Sequence, residues 1–428
     1  MDSSIPPTAS GNSFLEKNPV LKNKEFIAFL FIRILLIFCL NMQSTTIYYW
    51  VYQITNDKLK LGFVGLAEVI PAVGFSLFAG HIVDLKEKRN MLLMCIIGYV
   101  ILGWILFGLT HPTALQAFPL SSILIAIYAC VFFGGIIRSF MGPSSFALVG
   151  LLVPRSQYPN ATSWSSMVWQ LGSVLGPLTA GAMIAWKGVE WGMLGVVIVE
   201  VLLLIPILCI RKKPIIKSKK EPVLQSLSKG LKFVFHTPAL LGAQCLDMFS
   251  VLFGGAVALL PVYQKEILHV NETGFGILRA APGIGALISL GILAFFPLKK
   301  NPGKKLFIAV FGFGLSIIIF GISRNFLLSF SMLVFSGIFD AISVVIRGTI
   351  LQLVTPDDMR GRVSAVNTMF ISSSNELGDF ESGVMAHWLG TVTAVVVGGC
   401  LTLSVVISTF FMAKPLRDFS FDDDKQKK

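Results

Sequence analysis

Long apolar segments recur along the chain from Phe26 to Met412, separated by short stretches rich in glycine, proline or charge. A bilayer core about 30 Å thick needs roughly 20 mostly apolar residues per helix, and the segments have this length. A transmembrane barrel would instead show strands of about ten residues with alternating polarity. The pattern therefore predicts an all-α membrane protein of twelve helices. The predicted helices are 26–52, 61–82, 91–110, 120–152, 160–186, 190–210, 239–264, 273–297, 304–323, 326–353, 362–388 and 391–413.

The twelve helices form two similar sets of six. A shift of 211 positions places Gly65 on Gly276, and a shift of 202 positions places Trp186 on Trp388, each within an ordered series of matches. Such a series favours two parallel halves, and two halves joined by a linker are typical of transporters whose solute site lies between them. The predicted organisation is an N-terminal segment 1–25, an N-terminal half 26–210, a linker 211–238, a C-terminal half 239–413 and a tail 414–428.

Composition and charge support this topology. Of the 428 residues, 54% are hydrophobic and 14% charged, against a charged share of about 25% in soluble domains. Lysine and arginine collect in alternate loops, the linker and both ends, which predicts that both termini are cytoplasmic. This topology explains the net charge of +12, so nucleic-acid binding is not expected. The first apolar run exceeds a signal-peptide core, and its helix should therefore stay in the mature protein.

The loop between the second and third predicted helices carries a candidate latch. Asp84 precedes a basic cluster and can pair with it, and Gly80 allows helices to approach closely. The loop resembles the signature loop of the major facilitator superfamily, GxxxD followed by basic residues, and the resemblance implies a contact that breaks when the halves rock. A purely topogenic loop is the alternative. The residues assigned to the latch are Gly80, Asp84, Lys88 and Arg89.

The fifth predicted helix combines small residues at helical spacing with an internal proline, which predicts a bent and closely packed helix. Its sequence resembles the GxxxGPxxGG antiporter motif of exporters in the same superfamily, and ordinary small-residue packing is the alternative. Stretches 67–72 and 355–367 resemble the enterobactin-exporter-like branch, while the superfamily resemblance spans the whole chain. The residues that carry the helix motif are Gly172, Gly176, Pro177 and Gly181.

Ionisable residues inside predicted helices are costly in lipid and usually face a cavity or a partner. Asp340 and Arg347 lie two turns apart on one helix face. Asp340 is also the repeat mate of Arg138, so a pair across the halves is one possibility, and pairing within each half is the other. Glu376 and Asp379 share a face of helix 11. The candidates for proton coupling and the substrate cavity are Arg33, Glu68, Arg138, Asp247, Asp340, Arg347, Glu376 and Asp379.

These features and resemblances predict a proton-coupled exporter of the major facilitator superfamily. It would act as a monomer in the lipid bilayer of a bacterial inner membrane and expel a small amphipathic or siderophore-like molecule. Multidrug efflux and proton-coupled import remain alternatives. A channel would need a pore loop, and a membrane enzyme would need a catalytic constellation. Neither is visible, and the scattered histidines and cysteines predict no metal or cofactor.

Overall fold

A computed structural model describes residues 18–214, 223–295, 301–356 and 359–420. Within these ranges the chain contains twelve long helices and no strand, which confirms the predicted fold class. Most of the predicted N-terminal segment, part of the linker and the end of the tail lie outside the described residues. The helices are α1 Lys24–Thr55, α2 Lys58–Leu85, α3 Lys88–Thr110, α4 Leu120–Leu152, α5 Tyr158–Lys187, α6 Val189–Leu202 with its continuation Leu204–Cys209, α7 Pro238–Gly254, α8 Glu272–Phe295, α9 Pro302–Ile322, α10 Phe326–Val354, α11 Arg360–Leu389 and α12 Thr391–Met412.

Helix packing repeats between the two halves. In the N-terminal half α1 packs on α5, α2 on α4, and α3 on α6. The C-terminal half repeats each pair six helices later, with α7 on α11, α8 on α10, and α9 on α12. The turn after α5 and the turn after α11 also match, since both contain a glycine with positive φ, Gly188 and Gly390. The two halves are therefore copies of one six-helix arrangement.

Two helix pairs form the seam between the halves, α2 with α11 and α5 with α8. Ten helices in the described part of the chain are apolar and long enough to cross a membrane, and α2 and α11 are the two outside that set. Within the polar stretch 372–375 of α11, Ser374 is buried, and a polar helix is tolerated in a membrane where protein instead of lipid covers it.

The seventh span departs from its prediction as one continuous helix. Helix α7 ends at Gly254, a 3-10 turn follows over Ala256–Leu259, and a π-helical turn covers Tyr263–Ile267. Two adjacent glycines weaken the helix at the break, and Pro261 removes one more backbone donor. The π-helical turn places Lys265 and Glu266 beside the N-terminal half at the seam, where Lys265 donates to Asn56 and Glu266 accepts from Tyr52.

The linker is anchored to the N-terminal half where it begins. The Lys213 ammonium contacts the Glu25 carboxylate at 2.5 Å, and the Lys213 backbone N–H donates to Glu87. Farther along, a helix over Val223–His236, the linker helix, packs on α11, α7 and α2. We call this side of the bundle, where α1 begins and α6 ends, the linker end, and the opposite side the distal end.

Candidate functional site

The first part of the site is a three-residue charge cluster in the middle of the seam. Arg138 of α4 pairs with Glu68 of α2 within its own half. The same guanidinium nitrogen lies 3.1 Å from Glu376 of α11 in the other half. The second oxygen of Glu376 is buried without a hydrogen-bond partner among the described residues. One arginine thus holds two carboxylates from opposite halves, which leaves the cluster with a surplus negative charge when both are ionised.

A second polar group continues the site along the seam. The buried Tyr48 hydroxyl of α1 donates to Asp379 at 2.5 Å. The Arg279 guanidinium of α8 lies over the Tyr48 ring, 4.9 Å from its centroid, and donates to Ser44 at 3.0 Å. A cation over an aromatic face is stabilised when it is shielded from water. Because Asp379 is one helical turn from Glu376, α11 brings both of its acids to the N-terminal half, as its spacing predicts.

Exposed residues lead from this cluster toward the linker end, which indicates a cavity open on that side. Arg138, Gly142 and Phe146 follow one another at four-residue intervals on one face of α4, which runs from the distal end to the linker end. The Arg138 side chain is 49% exposed, a Cβ added at Gly142 would meet nothing within 4 Å, and Phe146 is 86% exposed. Since Arg138 faces the other half, the two exposed residues beyond it mark an open passage.

Backbones pack closely at the distal end of both helix pairs that form the seam. A Cβ added at Gly62 of α2 would lie 3.3 Å from the Cα of Gly383 in α11, and one at Gly181 of α5 would lie 2.7 Å from the Cα of Gly276 in α8. Glycine is required at such positions because any side chain would push the helices apart. The repeat relation pairs Gly181 with Gly383, so both helix pairs of the seam close through the same kind of glycine packing.

Polar contacts add to this distal closure. The Tyr49 hydroxyl donates to Glu272 at 3.0 Å, and the Tyr52 hydroxyl donates to Glu266. Lys58 lies 3.3 Å from the same Glu266 carboxylate. Each contact joins the N-terminal half to residues 263–272 of the C-terminal half, so all of them must break before the distal end can open.

The pair of Arg138 with Asp340 across the halves, one of the two possibilities that the sequence left open, does not occur. Asp340 lies instead within the C-terminal half, near the ion pair of Arg347 in α10 with Asp247 in α7. The repeat relation could not decide between the two possibilities, because it fixes the depth of a residue but not the direction of its side chain. Arg33 also stays within its own half, where it donates to the Ser165 carbonyl at 3.0 Å. Neither residue reaches the seam cluster.

The glycine motif of α5 contacts two helices in different halves. A Cβ added at Gly172 would lie 2.9 Å from the Ile34 carbonyl oxygen of α1, and one at Gly176 would lie 2.6 Å from that of Phe38. Gly181 packs across the seam on α8, and the Pro177 carbonyl lies against Gly276 of the same helix. The motif therefore packs α5 tightly on α1 and on the opposite half.

The latch residues Gly80 and Asp84 lie in α2, and the side chain of Asp84 is outside the described part of the structure. The Lys88 ammonium donates to the carbonyl oxygen of Val83 at 2.6 Å, at the end of α2. Arg89 donates to the Ile207 carbonyl of α6 at 3.3 Å. These two described contacts are within the N-terminal half, and a latch between the halves remains a proposal for Asp84.

Sequence reasoning missed the contributions of α1 and of the distal acids. Ser44, Tyr48, Tyr49 and Tyr52 lie in a polar and aromatic stretch that interrupts the first apolar run, and this interruption was the available signal. Glu266 and Glu272 lie within the loop predicted between the seventh and eighth helices, where charged residues are ordinary. No pattern distinguishes a loop acid that contacts the other half from one that contacts water.

The arrangement of two six-helix repeats around a charged central seam defines a membrane transporter of the rocking type. The sequence profile of the Major Facilitator Superfamily matches residues 29–378. The chain belongs to this superfamily and is a multi-pass membrane transporter of small molecules.

Similar proteins carry narrower descriptions. The enterobactin exporter EntS of Citrobacter koseri is 25% identical over 365 residues, covering 83% of this chain and 84% of that protein. EntS of Escherichia coli K12 is 24% identical with the same coverage. Among solved structures, a POT family transporter in complex with 5-aminolevulinic acid matches with a TM-score of 0.73 at 14% identity, over 92% of this chain and 97% of that one. This structural match is evidence for the fold alone.

Proposed function

We propose that this protein is a proton-coupled exporter of a small amphipathic, siderophore-like compound, and that enterobactin is the first compound to test. The similarity to proteins named enterobactin exporters supports the substrate class. The proposed setting is a bacterial inner membrane, with both termini and the linker end in the cytoplasm and the protein acting as a monomer. In this orientation the cavity of the structure opens to the cytoplasm, where an exporter collects its substrate.

The bridging position of Arg138 is the observation that carries the coupling proposal. Its guanidinium is shared between Glu68 of one half and Glu376 of the other. When the halves separate on the cytoplasmic side, the cavity is wet and both acids can exchange protons with water. When they close, the low dielectric of the seam strengthens attraction to Arg138 and penalises the surplus charge. In the return step a proton bound at one acid removes that penalty, and in the export step the bound substrate takes the place of the proton.

Asp379 extends the same relay toward the distal end. Its carboxylate accepts the Tyr48 hydroxyl, while Arg279 lies over the other side of the Tyr48 ring. Rocking that separates α11 from α1 breaks this hydrogen bond and leaves Asp379 facing water at the distal side. A proton taken up there and released at Glu376 on the cytoplasmic side would drive the outward movement of substrate.

Transport by purified protein in liposomes tests the proposal. We expect enterobactin to move against its gradient when a pH gradient is imposed, and to exchange passively without one. Glu376→Gln should lose gradient-driven transport by at least about tenfold, a loss of about 1.4 kcal/mol of coupling, while it keeps enterobactin binding. Glu200→Gln is the matched control, because Glu200 is a fully buried acid of the N-terminal half outside the seam.

Three outcomes would contradict the proposal. Gradient-driven transport that persists in Glu376→Gln and Asp379→Asn would exclude coupling through this cluster. Transport of unrelated amphipathic cations with no response to enterobactin would replace the siderophore-like substrate with multidrug efflux. Accumulation in the opposite direction under the same gradient would identify an importer.

A further inference from the structure

A second group of buried charges lies inside the C-terminal half, away from the seam cluster. Arg347 of α10 pairs with Asp247 of α7, and both side chains are less than a tenth exposed, at 6% and 7%. Asp340 lies on the same face of α10 as Arg347 and lines a small void together with Asp247. The group joins two helices of one half, so it does not separate when the halves rock.

The charges of this group do not balance. Among the residues that the structure describes around this group, Asp247 and Asp340 supply two carboxylates, and Arg347 supplies the one positive side chain. Helix α9 contributes the apolar Val310 and Phe313 to the void, so no compensating charge comes from that side. A buried ion without a partner costs several kcal/mol, since protein replaces the water that would solvate it. A single additional positive charge would neutralise the group.

The void beside the two carboxylates has the dimensions and lining for such a charge. It offers about 10 Å³ of room, which is about the size of one water molecule or small ion. Two hydroxyl residues, Ser250 of α7 and Ser343 of α10, line it together with the acids. Ser250 is 2% exposed, and its hydroxyl has no hydrogen-bond partner among the described residues. This hydroxyl is therefore free to bind whatever enters the void.

We propose that Asp247, Asp340 and Ser250 form a binding site for one monovalent cation, either a proton or a sodium ion. Carboxylate and hydroxyl oxygens are the ligands that hard cations prefer, and one carboxylate suffices to hold a proton. Arg347 stays paired with Asp247 and neutralises one of the two carboxylates, so one cation is enough to neutralise the other. In the transport cycle the site would bind a coupling ion inside the C-terminal half, and this role rests on the proposed function. The binding of the cation does not depend on the proposed function.

Thermal unfolding of the purified, substrate-free protein tests the site. A ligand that binds only the folded state raises the unfolding midpoint. If sodium is the ligand, exchanging choline chloride for sodium chloride at equal ionic strength should raise the midpoint of the wild type. If a proton is the ligand, sodium has no effect. The midpoint then falls as the pH rises from about 6 to about 8, because the folded state holds a proton that the unfolded state has released.

Asp340→Asn should remove either response, because it keeps the shape of the side chain and leaves Asp247 and Arg347 as a neutral pair. We expect a difference of about 2 °C or more between the wild type and this variant in the size of the response. Ser250→Ala should weaken the response and serves as the second variant if Asp340→Asn does not fold. Glu200→Gln, which removes a buried acid from the other half, should keep the full response of this site.

Equal sodium and pH responses in the wild type, Asp340→Asn and Ser250→Ala would overturn the proposal. If the wild type responds to sodium and the variants do not, sodium is the ligand. If the wild type responds to pH and the variants do not, the ligand is a proton. Because no substrate is present, a failure to export enterobactin would leave this result intact. Conversely, enterobactin export with unchanged responses in the variants would preserve the proposed function and exclude this site.

Discussion

Arg138 and Arg347 both pair with a carboxylate in the middle of the bundle, yet their settings are opposite. The Arg138 side chain is 49% exposed to the cavity and contacts both halves, whereas Arg347 is 6% exposed and its ion pair stays within one half. A contact across the seam has to form and break in every cycle, and water in the open cavity lowers the free-energy difference between the two states. A contact inside one half can be permanent. The first cluster suits a moving coupling element, and the second a fixed site.

The largest expected effect comes from preventing the halves from moving at all. In a chain without the six native cysteines, cysteines that replace Lys58 and Glu266, whose side chains lie 3.3 Å apart across the distal seam, can be bridged by a bifunctional methanethiosulfonate reagent. We expect this bridge to abolish transport and its reduction to restore transport. The assay is uptake into liposomes before and after a reducing agent.

A bridge within one half is the matched control for this experiment. The side chains of His111 and Glu190 lie 3.7 Å apart within the N-terminal half, so cysteines at these positions accept the same reagent. This second bridge should leave the transport cycle running. Equal inhibition by both bridges would mean that movement within a half, and not between halves, limits transport.

The next effect separates the two arginines by their influence on stability. Arg347→Ala leaves Asp247 buried without its partner and should lower the free energy of unfolding by about 3–5 kcal/mol. Arg138→Ala should lower it by less, because the Arg138 side chain is half-exposed and the buried Glu376 left without its partner can take up a proton from the cavity, but it should abolish gradient-driven transport. Denaturant or thermal unfolding of the two purified variants measures the first quantity. A larger loss of stability in Arg138→Ala than in Arg347→Ala would reverse the comparison.

The sequence predicts the frame of the molecule better than the orientation of its charges. Helix periodicity and length identify the twelve spans, because a lipid environment demands long apolar helices whatever their tertiary contacts. The spacing of Glu376 and Asp379 predicts their shared face for the same local reason. The partner of Arg138 is set instead by the rotation of α4 and α10 about their axes. That rotation depends on close contacts with other helices, such as that of Gly135 in α4 with the Glu68 carbonyl and that of Gly337 in α10 with the Pro282 carbonyl, which no local pattern specifies.

A smaller effect is expected where one hydroxyl joins the halves. Tyr48→Phe removes the hydrogen bond to Asp379 and keeps the ring over which Arg279 lies. A hydrogen bond to a charged group contributes about 1.5–3 kcal/mol, so gradient-driven transport should fall by about tenfold or more. Tyr99→Phe is the control, because its hydroxyl donates to the Gly134 carbonyl within the N-terminal half. An equal loss in both variants would show that the position of the hydroxyl at the seam is immaterial.

The smallest effect concerns the polar contacts that close the distal end. Glu266 accepts the Tyr52 hydroxyl and lies 3.3 Å from Lys58, with the Lys58 and Glu266 side chains 23% and 43% exposed. A partly exposed ion pair contributes about 0–1 kcal/mol, so Glu266→Gln should raise the population open at the distal end by up to about fivefold. Fluorescent labels on cysteines introduced at Gln116 and Arg324, exposed residues in distal loops of opposite halves, report that population as a longer distance.

Salt dependence and a second distal pair make this last prediction specific to the seam. High salt should shift the wild type toward the longer distance, because screening weakens the contact between Lys58 and Glu266, and should have less effect on Glu266→Gln. Glu190→Gln is the matched control, since Glu190 lies 3.7 Å from His111 at the same end but within one half. If Glu190→Gln opens the distal end as much as Glu266→Gln does, the closure responds to surface charge in general, and the contact across the seam has no special part in it.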